Sequence, residues 1–148
     1  MRALGAALGR ALAVPSATAI VIALHGDLGA GKTTLVGGVM SALGVTGPVR
    51  SPTYTLIEPY DTAHRQVFHL DLYRLADPQE VEPLGLRELL SADAALLIEW
   101  PERGAGYLPP EDLRIDIAYP SNGLEGRELT FFPGTTTGET LLRAINVQ

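Results

Sequence analysis

The run Gly26-Asp27-Leu28-Gly29-Ala30-Gly31-Lys32-Thr33 constrains this chain more than any other feature. It fills the pattern Gly-x-x-x-x-Gly-Lys-Thr, and its neighbours give it a context. Ala19–Leu24 before it is a continuous apolar run rich in β-branched residues, which reads as a strand buried on both faces. Leu35, Val36, Val39, Met40 and Leu43 after it make one helical stripe, and Gly44 stands where that helix would stop. Strand, glycine-rich loop and helix in that order predict a phosphate-binding loop. Glycines let backbone N–H groups turn inward around an anion, and the following helix adds the positive end of its dipole. Lys32 can reach the β- and γ-phosphates of a nucleotide, and the Thr33 hydroxyl can ligate Mg²⁺. The expected ligand is therefore ATP with Mg²⁺. Asp27, Leu28, Gly29, Ala30, Gly31, Lys32, Thr33 and Thr34 are the expected contacts.

Such a loop needs an acidic group at a strand end to hold the metal or its water. Asp71 interrupts the apolar run 67–73, and Glu99 ends the run Leu96-Leu97-Ile98. A carboxylate within or closing a buried strand is unfavourable unless it is paired or metal-bound. Both are predicted at the site, with Lys32, as catalytic groups, and either could hold the metal. The two acidic roles are interchangeable at this level. Ser51-Pro52-Thr53-Tyr54 follows the loop by about twenty residues, where many nucleotide hydrolases place a segment that senses the γ-phosphate. His25, His64 and His69 show no metal-ligand spacing, so zinc is not expected.

The rest of the pattern fits a small α/β fold. Tyr54–Tyr60 and Val67–Tyr73 read as two strands, Leu84–Leu90 as a short helix, and Ala94–Ile98 as a second fully apolar strand. Leu113, Ile115, Ile117 and Tyr119 alternate with Arg114, Asp116 and Ala118, the period of a half-exposed strand. Residues 127–132 read as a further strand, and Leu141, Leu142 and Ile145 as a closing helix. With 148 residues, no internal repeat and no low-complexity linker, one domain over 1–148 is expected.

Net charge and composition limit the partners. Charged residues total 11 basic against 17 acidic, a formal charge of −6, which disfavours a broad basic face for nucleic acid. Action beside RNA through a partner is compatible with it. No cysteine is present, so disulfides and thiolate chemistry are excluded, in keeping with a reducing cytoplasm. No run has the length of a membrane span. Met1-Arg2 and Ala17-Thr18-Ala19 loosely mimic a secretion signal. Arg10 interrupts the apolar stretch, however, and Leu4, Leu8 and Leu12 recur at helical spacing, so an amphipathic first helix is expected. No Asn/Thr-Lys-x-Asp guanine-reading motif appears, and Lys32 is the sole lysine. A stand-alone kinase for a small metabolite is the rival enzyme. Against it, the residues from Thr55 onward read as strands and not as an arginine-rich helical lid. A nucleotide-sensing module that binds ATP and hardly hydrolyses it is the third reading.

Four elements together resemble one family. They are Gly26–Leu35, Ser51-Pro52-Thr53-Tyr54-Thr55-Leu56, His69-Leu70-Asp71-Leu72-Tyr73-Arg74 and Leu97-Ile98-Glu99-Trp100-Pro101-Glu102. In order and spacing they are similar to the TsaE (YjeE) ATPases of bacterial tRNA threonylcarbamoyladenosine synthesis, over roughly residues 4 to 120. The resemblance implies a phosphate-loop fold with a mixed, mostly parallel sheet flanked by helices. It implies a weak, Mg²⁺-dependent, partner-stimulated ATPase. It also implies partners: the threonylcarbamoyltransferase subunit TsaD and its companion TsaB, with tRNA met only through that complex. By motif, Thr33 and Glu99 would ligate Mg²⁺, Asp71 would position metal or attacking water, Ser51–Tyr54 would form the switch, and Trp100 would lie beside Glu99. Gly5 stands where family members often carry a Thr that helps hold the nucleotide base, so the resemblance does not carry that contact over. Residues 121–148 match only loosely.

Overall fold

The computed structural model describes residues 1–146. Its framework is a six-stranded sheet built from β1 (Ile20–His25), β2 (Ile57–Asp61), β3 (Gln66–Asp71), β4 (Ala94–Glu99), β5 (Leu113–Ala118) and β6 (Glu128–Pro133), in the order β2-β3-β4-β1-β5-β6. β3, β4, β1 and β5 run parallel, and β2 and β6 close the two edges antiparallel. The apolar runs at 20–24 and 94–98 become the two central strands, buried on both faces, as continuous hydrophobic strands must be in a parallel sheet.

Helices α1 (Arg2–Leu12), α2 (Lys32–Ala42) and α4 (Thr136–Asn146) cover one face of the sheet. Leu8, Leu12, Leu35, Val39, Met40, Leu141 and Ile145 meet Ile20, Ile22, Leu24, Leu97, Leu113 and Ile115 there. The other face carries Val21, Phe68, Leu70, Leu96 and Ile98 beneath a thinner cover of 3₁₀ turns (Pro78–Leu84 and Pro101–Gly104) and the single-turn helix α3 (Leu86–Leu89). The parallel strands therefore direct their C-terminal ends to one edge, where α2 begins. In open α/β sheets this is the edge that binds ligands.

α1 crosses α2 at backbone distance. A side chain at Gly5 would overlap the Leu35 carbonyl oxygen, and one at Gly38 the Arg2 carbonyl. Gly5 is thus fixed by helix packing, which gives a physical reason why a larger residue is absent there. The C-terminal end of α1 is held by a buried cation. Arg65 donates from Nε to the Leu12 carbonyl at 2.5 Å and from Nη2 to the Val14 carbonyl at 3.1 Å, satisfying acceptors that a helix end leaves open.

Two expectations need correction. Residues 54–56 do not begin a strand: Leu56 N–H donates to the Pro52 carbonyl at 2.8 Å, closing a turn, and Leu56 takes a positive φ of 67°. The strand starts at Ile57. The short helix read at Leu84–Leu90 is confined to Leu86–Leu89, and Pro78–Leu84 before it form a 3₁₀ turn. Asp77 accepts from the Gln79 N–H at 2.9 Å and Pro78 opens a 3₁₀ turn behind it, an N-terminal signal that Pro83 masks in the sequence.

Candidate functional site

β1 delivers the chain into the loop 26–31, and α2 leaves it at Lys32. Gly31, the residue before α2, adopts φ 115°, a backbone conformation closed to most side chains. No side chain caps this helix start. The uncapped N–H groups and the dipole behind them suit an anion. Lys32 is buried and folds its ammonium back into the loop, donating to the Gly26 carbonyl and, at 3.0 Å, to the Asp27 carbonyl. Burial lowers its pKa from the ordinary lysine value, against the raising influence of Glu99, Glu102, Asp71 and Asp27.

The carboxylates arrive from the sheet. Asp71 and Glu99 are register partners at the ends of β3 and β4, and Leu24, at the end of β1, pairs with Glu99 on its other side. Side chains alternate along a strand, so His69, Asp71, Leu97 and Glu99 share the face toward α2. The Thr33 hydroxyl lies 3.1 Å from both Glu99 oxygens. Ser51 donates its hydroxyl to Asp71 Oδ2 and lies 3.5 Å from Glu99 Oε2. The Tyr73 N–H completes Asp71 at 2.9 Å. Glu99 is 3% and Asp71 5% exposed, so two carboxylates share a nearly dry space with hydroxyl oxygens on either side. That donor set, hard oxygens with one hydroxyl at a helix start, is the chemistry a Mg²⁺ ion prefers.

Trp100 follows Glu99 in the left-handed conformation, φ 57°, an uncommon one for a bulky residue. The turn lays its ring over Lys32, with Nζ 4.1 Å from the ring centroid, and beside Tyr73, 4.9 Å between centroids. A cleft of about 380 Å³ opens between these parts, lined by Leu28, Gly29, Lys32, Thr33, Ser51, Asp71, Glu99 and Trp100 among others. Leu28, Gly29, Gly31, Lys32, Thr33, Thr34 and both carboxylates thus converge with Ser51, Thr53 and Trp100, whereas Asp27 and Ala30 do not line the cleft. Pro52 is buried behind them. Tyr54 does not converge: it is 82% exposed, under the Arg74 guanidinium at 4.3 Å.

Two contributors escaped the sequence reading. Arg127, at the entry to β6, donates to the Ala30 carbonyl at 2.9 Å and stacks on Tyr119 at 4.0 Å, bracing the loop from the β5–β6 hairpin. It lies in the stretch that resembles the family only loosely, and no local signal marks it. His69 enters the sequence argument only through its lack of metal-ligand spacing and as part of the run 69–74, although its i, i+2 spacing from Asp71 places both on one strand face.

Known proteins agree with this arrangement. The family model for threonylcarbamoyl adenosine biosynthesis protein TsaE matches residues 1–129. The tRNA threonylcarbamoyladenosine biosynthesis protein TsaE of Haemophilus influenzae is 44% identical over 128 residues, 86% of this chain and 79% of that protein. Its Bacillus subtilis namesake is 41% identical over 111 residues, 75% and 68% of the two chains. The crystal structure of Bacillus subtilis YdiB superposes with a TM-score of 0.78 at 31% identity, over 98% of this chain and 88% of that one. A phosphate loop alone would leave the family open, but the match over most of the chain and the shared fold do not: this chain belongs to the TsaE family.

Proposed function

We propose that this protein binds ATP·Mg²⁺ in the cleft between the 26–33 loop and the ends of β3 and β4, and hydrolyses it slowly as part of tRNA threonylcarbamoyladenosine synthesis. Its partners in this reading are the threonylcarbamoyltransferase TsaD and its companion TsaB, in the cytoplasm. The observation that carries the proposal is the meeting of Lys32, Thr33, Asp71 and Glu99 at one helix start. Family membership supports the biological setting.

In this reading the loop N–H groups and Lys32 hold the phosphates, and Thr33 and Glu99 hold the metal. Bound Mg²⁺ would supply charge neutralisation on the β- and γ-phosphate oxygens. Asp71, fixed by Ser51 and the Tyr73 N–H, orients the attacking water. Ser51 ties its loop directly to Asp71, so occupancy of the site and the position of segment 51–54 are coupled. Trp100 screens the Lys32 side from water. The kinase alternative loses ground because the chain after Leu56 pairs as β2 and β3 and does not fold as a helical lid.

Reconstitution tests this reading. Threonylcarbamoyladenosine formation on tRNA is measured with TsaD and TsaB, adding this chain or its Glu99→Gln variant. Sustained modification with the unaltered chain alone is expected. Equal product from both would remove the carboxylate from the mechanism, and no effect of either would remove the chain from the reaction.

A further inference from the structure

His69 is fully buried in β3, one step back from Asp71 on the same strand face. Its register partner is Leu97, so Glu99 stands at the diagonal position, within reach of a long side chain. Nε2 lies 2.6 Å from Glu99 Oε2, closer to that carboxylate than Thr33 at 3.1 Å or Ser51 at 3.5 Å. An ionised carboxylate only accepts, so the proton of this bond sits on Nε2. Nδ1 is buried without a hydrogen-bond partner among the described residues, so a second proton there would have no acceptor. The geometry therefore defines one tautomer, with Nε2–H aimed at Glu99.

We propose that His69 is the positioning residue for Glu99: its Nε2–H occupies one lone pair of Oε2 and so turns the carboxylate's remaining lone pairs toward Thr33, where the metal is to be held. The inference rests on the nucleotide–metal reading above and names a group that acts through Glu99. A residue in this role is expected to govern metal affinity about 10–100-fold while leaving phosphate binding by the loop intact.

Two measurements on the full chain test it. Long-range ¹H–¹⁵N correlation of the imidazole, in the unaltered protein without nucleotide, should show Nε2 protonated and Nδ1 bare; a ring protonated on Nδ1 overturns the proposal. Calorimetry of ADP binding is then run with Mg²⁺ and with EDTA. In His69→Leu the Mg²⁺-dependent gain in affinity should fall about 10–100-fold, with metal-free ADP affinity unchanged. His69→Gln, whose side-chain amide can donate from near the Nε2 position, should restore most of the gain. Full Mg²⁺ dependence in the Leu variant, or a folded Gln variant no better than Leu, overturns the assignment. If the unaltered chain gains nothing from Mg²⁺, the nucleotide–metal reading fails instead, and the tautomer measurement still decides where the His69 proton points.

Discussion

At the scale of single residues, the site is a solution to an electrostatic problem. Asp71 and Glu99 sit side by side in register, both nearly dry, and like charges so placed raise each other's free energy unless something positive or hydrogen-bonding intervenes. Ser51, Thr33, His69 and the Tyr73 N–H supply hydrogen bonds, and Lys32 supplies charge from across the cleft. Glu99→Gln keeps the shape and removes one charge. Without metal it should stabilise the fold, raising Tm by about 2–4 °C for about 1 kcal/mol gained. With metal it should lose most Mg²⁺-dependent turnover. Thermal scans with and without Mg²⁺ check both halves, and a fall in Tm with unchanged turnover would make Glu99 a structural residue. The sequence exposed this pair because a carboxylate inside an apolar run is conspicuous. It did not expose His69, since an imidazole facing a neighbouring strand leaves no mark on local hydropathy.

Among the elements, helix packing and helix ends matter most. α1 and α2 approach closely enough that Gly5 and Gly38 admit no side chain, and this contact seats α2 and with it the phosphate loop. Gly5→Thr should therefore destabilise the protein by about 1–3 kcal/mol, as overpacking does. Urea unfolding measures it; a neutral result would show that the helices can separate without penalty. Arg65 carries a similar load at the other end of α1. Replacing it with Met leaves the Leu12 and Val14 carbonyls without their donor, for about 1–3 kcal/mol. The elements with strong periodicity were legible: β1, β4, β5, α2 and α4 lie where the apolar pattern put them. The turn at 52–56 was not, because its hydrogen bond from Leu56 to Pro52 joins residues that read as the start of a β-run. Arg65 was not legible either, since its partners are backbone carbonyls about fifty residues away in sequence.

For the whole molecule, strand order is what turns separate motifs into a site. β4 beside β1 brings Glu99 to the helix start, and β3 beside β4 adds Asp71. Pattern alone indicated a small α/β fold and the family resemblance a mixed, mostly parallel sheet, but the adjacency of β3, β4 and β1 depends on contacts distant in sequence. The isolated chain should turn over ATP slowly and be accelerated by the transferase pair. Arg74 lines the cleft while stacked on Tyr54, Arg103 stands over Tyr73 and Trp100, and among the described residues the ammonium folded into the loop is that of Lys32. Steady-state turnover alone and with TsaD and TsaB measures this; rapid hydrolysis by the lone chain, indifferent to those partners, would favour a free-standing enzyme. The central claim, that the 26–33 loop holds ATP·Mg²⁺ through Lys32, is tested most directly by calorimetry of ATP·Mg²⁺ with the unaltered chain and with Lys32→Ala. The account predicts saturable one-to-one binding in the first and its loss in the second, both proteins remaining folded by circular dichroism; equal affinity in the two would contradict it.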